Sequence, residues 1–138
     1  MSRTLAFKVD DNIVKKLGVI YGNLNKAGHR AVLSWHYLRT VSLAELKGIF
    51  SKEELVLLIN MRRETKFEPR FASGTALAYE VTDAETLYGI ATNWGVEIKS
   101  LSEKLNRLSY PHAFFLSDWI DCFWIDNLNI EDYIGGLL

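Results

Sequence analysis

Apolar residues in this chain recur every three or four positions along most of its length, and that spacing restricts it to a mainly helical fold. Ile13, Leu17, Ile20 and Leu24 form one such stripe. Leu43, Leu46, Ile49 and Phe50 form a second, and Leu55, Leu58, Ile59 and Met61 a third. Leu87, Ile90, Ala91 and Trp94 follow, then Ile98, Leu101, Leu105 and Leu108. A helix turns once in 3.6 residues, so each set lies along one face, and covering that face is what holds a short helix together in water.

Start and stop signals refine the pattern. Three Ser/Thr-x-x-Glu boxes, at Ser42–Glu45, Ser51–Glu54 and Thr82–Glu85, predict helix beginnings, because hydroxyl and carboxylate can satisfy the free N–H groups of a first turn reciprocally. The first two predict a tight helix–helix corner. Asp10 or Asp11 can cap the first stripe. Asn25-Lys26-Ala27-Gly28 predicts its stop, with Gly28 in a left-handed position and a second helix over about His29–Arg39. Between Glu64 and Val81 the periodicity lapses around Pro69 and Gly74, which predicts a loop and a possible boundary. Ser109 with Pro111 opens the last long helix, and Ile130, Tyr133 and Ile134 suggest a final turn.

The exception to helical spacing is at the start. Thr4 to Val9 alternates apolar and polar residues, the signature of a half-buried strand. The expected fold is therefore mainly α: a short N-terminal strand, then six or seven short helices. The expected organisation is a strand–helix–helix module over residues 1–40 and a compact helical domain over 41–138.

Charge is distributed unevenly. Residues 1–40 hold seven basic and two acidic side chains, net +5, whereas residues 71–138 hold three bases and ten acids, net −7. The basic segment is suited either to an anionic partner or to the chain's own acidic half. The acidic C-terminal half could likewise take up a protein partner. Composition is otherwise that of a globular chain, 49% apolar and 24% charged. Met1–Leu5 lacks the apolar run of a signal peptide, and the longest apolar stretch, Ala113–Ile125, is interrupted by Asp118 and Asp121. The expectation is a cytoplasmic protein without a membrane role.

Motifs of chemistry are missing. His29 and His36 stand seven apart, too far for chelation from successive turns, so no metal and no cofactor is expected. Asp118 and Asp121 share a face and read as the solvated stripe of an otherwise apolar helix. Phe71-Ala72-Ser73-Gly74-Thr75 is not a nucleophile elbow, and no glycine-rich phosphate loop occurs. Cys122, the single cysteine, reads as a small buried hydrophobe. Trp119 and Trp124, beside Phe114, Phe115 and Phe123, read as core or subunit interface. The chain is accordingly read as a non-enzyme.

A six-residue strand, a helix, a glycine-containing turn and a second helix, basic overall, make residues 3–39 resemble a ribbon-helix-helix DNA-binding module. The resemblance implies that two chains pair their strands into a ribbon that enters the major groove of duplex DNA. Thr4, Ala6 and Lys8 would then face the bases, while Leu5, Phe7 and Val9 would meet the partner chain in a homodimer. It also implies phosphate anchoring at the start of the second helix, here Gly28-His29-Arg30-Ala31. Where the family carries a Ser or Thr beside that Arg, this chain has His29 and Ala31. DNA contacts are thus assigned to Arg3, Thr4, Lys8, Lys26, His29 and Arg30. The function so implied is a dimeric transcriptional regulator. The alternative is a helical interaction or structural protein with no nucleic-acid role.

Overall fold

The computed structural model describes residues 8–70 and 72–125, with side chains as far as Asp121. Among the described residues seven helices follow one another: α1 (Asp11–Tyr21), α2 (Leu24–Ile49), α3 (Lys52–Glu64), α4 (Gly74–Asp83), α5 (Glu85–Asn93), α6 (Ile98–Asn106) and α7 (Tyr110–Ile125). No strand occurs among the described residues, which corrects the expected N-terminal strand. Its described end, Lys8 and Val9, is irregular backbone leading into Asp10, whose carboxylate accepts the Asn12 N–H at 2.9 Å. Asp10 caps α1 as expected, and among the described residues no second strand offers the backbone of Lys8 and Val9 a partner. Residues 4–7 lie outside the described residues, as do Asn127–Leu138 with the expected final turn.

The chain divides into two compact units, residues 1–38 and 39–138. In the first unit the turn falls earlier than expected. Gly22, not Gly28, takes the left-handed conformation, at φ 82°, and its N–H donates to the Gly18 carbonyl. Asn23 then starts α2 by accepting the Lys26 N–H on its side-chain oxygen at 2.8 Å. Gly28 lies inside α2. A mid-helix glycine costs only about 1 kcal/mol, less than a second break and its unsatisfied backbone groups.

The same continuity absorbs the expected box at Ser42–Glu45. Ser42 is buried within α2, and Glu45 instead pairs with the His112 ring. The box at Ser51–Glu54 forms as predicted, with Ser51 Oγ accepting from Glu54 N–H and the Glu54 carboxylate accepting from Ser51 N–H. At Thr82–Glu85 no box forms: Thr82 donates to the Ala78 carbonyl, and α5 starts without a side-chain cap. The expected loop shrinks, because α4 begins at Gly74 with Ser73 capping Ala76 N–H at 3.1 Å.

The core belongs to residues 39–138. Helix α3 is its centre, burying Leu55, Leu57, Leu58, Ile59 and Met61 and packing on α4, α5 and α7. Leu46 and Phe50 close it from the end of α2; Leu77, Ala78 and Val81 from α4; Leu87 and Ala91 from α5. Ile98, Leu101 and Leu105 of α6 and Leu116, Trp119 and Ile120 of α7 complete it. Helix α4 packs most extensively on α6. Their approach is so close that a Cβ built at Gly74 would lie 2.2 Å from the Leu105 carbonyl oxygen.

Ion pairs tie the helices around this core. Glu54, buried, receives Lys104 Nζ on both carboxylate oxygens at 2.8 and 2.9 Å while it also serves the cap of α3. Glu54→Ala removes both functions and is expected to cost about 1–2 kcal/mol. A urea-unfolding midpoint equal to that of the parent chain would contradict this. Asp118 and Asp121 correct the solvated-stripe expectation. Asp118 meets Arg39 of α2 at 3.4 Å, and Asp121, with its side chain 13% exposed, meets Arg62 of α3 at 3.7 Å. A carboxylate leaving water for an apolar surface needs such a partner.

Candidate interaction surface and basic cleft

In residues 8–38 the apolar pattern and the burial pattern part company. The stripe of α1 is formed as predicted, yet α1 buries no residue. Ile13, Ile20 and Leu24 are about half exposed or more, Ile20 at 67%, and only Leu17 of the stripe is partly covered. Along α2, Val32, Leu33, Tyr37 and Leu38 are exposed as well. Most of the exposed large apolar residues among those described fall between Ile13 and Val41. Single exposed apolar residues are ordinary on a protein surface; here they are concentrated on two consecutive helices.

Ile20 of the α1 stripe also lines an open cleft of about 560 Å³, built entirely within the first unit. One wall comes from the end of α1, Ile20 and Tyr21. The left-handed Gly22 ends α1, and α2 supplies the rest of the lining through Asn25, Lys26, His29 and Arg30. Spacings of three and four place Lys26, His29 and Arg30 on one helix face. Lys26 stands in the first turn of α2, at the positive end of the helix dipole, and that turn has no acidic residue. Among the described residues of this unit the only acids are Asp10 and Asp11, and no ion pair links them to the three. The arrangement combines hydrogen-bond donors and positive charge with an aromatic and aliphatic wall.

Three of the six residues assigned to DNA therefore lie together: Lys26, His29 and Arg30. Lys8 is exposed and does not line the cleft, and Val9, assigned to the dimer contact, is half-buried. Arg3, Thr4, Leu5 and Phe7 lie outside the described residues. The anchoring position moves in its backbone setting, because His29 and Arg30 occupy the second turn of a continuous α2 and not the start of a separate helix. Sequence reasoning missed Tyr21 and Asn25 as site residues, and it read Ile20 only as part of the apolar stripe of α1. An aromatic residue just before the Gly22-Asn23 turn, with a basic residue three positions past it, was the available signal.

Elsewhere, no group of three or more potential metal ligands comes together among the described residues, and no described helix is long and apolar enough to cross a membrane. The side chains of Cys122 and Trp124 lie outside those described. Compared with protein families, curated proteins and solved structures, the chain matches none.

Proposed function

We propose that the chain is a DNA-binding regulator that acts as a homodimer, with α1 and the first turns of α2 carrying both activities. The observation that carries the reading is that one small unit holds the uncovered apolar stripe of α1 together with a basic cleft. A helix such as α1, which buries no residue, gains stability by covering its apolar stripe, and a second copy of the same unit provides a matching surface. Lys26 and Arg30, four residues apart on one face, repel each other until an anion such as a backbone phosphate lies between them. The net charge of +5 over residues 1–40 extends that attraction. The proposal rests on the helix pair and requires no ribbon.

Two measurements test it. Gel retardation of duplex DNA over a salt series is expected to show binding that weakens steeply with salt. Lys26→Ala with Arg30→Ala should flatten the slope of log affinity against log salt by about two units. Light scattering at micromolar concentration should give a dimer, and Ile20→Asp should give a monomer with unchanged helix content. A second reading, a helical interaction protein without a nucleic-acid role, is favoured by the same apolar face. A dimeric chain that retards no duplex even at low salt would select it.

A further inference from the structure

We infer that the cleft between the end of α1 and the first two turns of α2 is a binding site for a free nucleoside phosphate. Its two walls differ in chemistry, and the difference defines the ligand. Lys26, His29 and Arg30 offer N–H donors and positive charge to a phosphate. Tyr21 and Ile20, which line the same cleft, bring an aromatic ring and an aliphatic side chain to it. Asn25 can both donate and accept, which suits the edge of a base or a sugar hydroxyl. A volume of about 560 Å³ falls in the range of small-molecule sites, roughly 300–1,000 Å³. Inorganic phosphate would leave the apolar wall uncovered, and an uncharged ring would leave the cations unanswered. A nucleotide satisfies both.

This goes beyond the duplex reading, because the bases of a duplex are stacked on one another and closed to Tyr21, whereas a free nucleotide presents its base. Both ligands would use Lys26 and Arg30, so the nucleotide would compete with DNA for the same cations.

The test is an NMR titration of the full chain with ADP, pyrophosphate and adenosine as separate probes. ADP is expected to shift the ring signals of His29 and Tyr21 and to bind at least about tenfold more tightly than pyrophosphate, the increment that stacking of a base on an aromatic ring supplies. Adenosine should cause no shift at the same concentration. Lys26→Ala with Arg30→Ala should weaken ADP at least about tenfold with unchanged far-ultraviolet circular dichroism. Tyr21→Leu should bring ADP down to the level of pyrophosphate, and Tyr21→Phe should retain it. Failure of ADP to shift either ring at millimolar concentration overturns the inference, as does equal affinity for ADP and pyrophosphate. A parallel duplex titration separates the two readings: retardation of DNA without ADP binding removes the nucleotide site alone, and ADP binding without retardation removes the regulator alone.

Discussion

Trp119→Ala is expected to destabilise the protein by about 3–5 kcal/mol, the largest loss from any single side chain considered. Trp119 is 3% exposed and belongs to the core in which α7 packs on α3. Removing the indole deletes a large apolar area and leaves a cavity that its neighbours cannot close. Leu116 and Ile120 beside it on α7 are fully buried already, and Leu57 and Leu58 of α3 are fixed in the same core. Asp118 and Asp121 hold α7 to Arg39 and Arg62 on either side, which limits how far the helix can slide to fill the space. Trp119→Phe keeps part of the volume and should lose clearly less. Urea unfolding followed by circular dichroism measures both variants. An alanine variant with the parent midpoint would show that the indole is covered by a partner rather than by the core.

Gly74→Ala is expected to cost about 3 kcal/mol, although alanine normally favours a helix. The added methyl would stand 2.2 Å from the Leu105 carbonyl oxygen and 3.4 Å from Leu108 Cβ. The first of these is backbone in the last turn of α6, so no rotamer change relieves the clash, and α4 must back away from α6 along its most extensive contact. Gly89 is the control. It sits inside α5 with open space where its Cβ would lie, so Gly89→Ala is expected to raise stability by about 0.5–1 kcal/mol. Thermal midpoints moving in opposite directions for the two variants would establish that packing, not helix propensity, sets the sign at Gly74. Equal shifts would refute the close approach.

Local chemistry was legible without a structure wherever a few neighbouring residues decide it. The box at Ser51–Glu54 satisfies N–H groups within its own first turn, and it forms where the sequence places it. The stripes at Leu55–Met61 and Ile98–Leu105 lie along one face of their helices because period alone puts them there, and both are buried. The boxes at Ser42 and Thr82 share that local code and fail. A box can form only where the preceding chain leaves the helix, and α2 continues through Ser42 while Thr82 closes α4 on the Ala78 carbonyl.

What lies across from a face is another matter. Spacing placed Asp118 and Asp121 on one side of α7, yet nothing local says that Arg39 and Arg62 stand opposite, 79 and 59 positions earlier in the chain. Gly74 read as a breaker; contact with Leu105 makes it the residue that lets α4 begin there. The cleft likewise depended on the turn falling at Gly22 rather than Gly28, since only then do Tyr21 and Lys26 flank one opening. By itself the sequence determined that the chain is helical, where its apolar faces run and which segment is basic, because these follow from side-chain period and charge over a few turns. Tertiary structure alone decided which of those faces become core, since burial depends on what the rest of the chain brings opposite. The same repeat is covered in α3 and left open in α1.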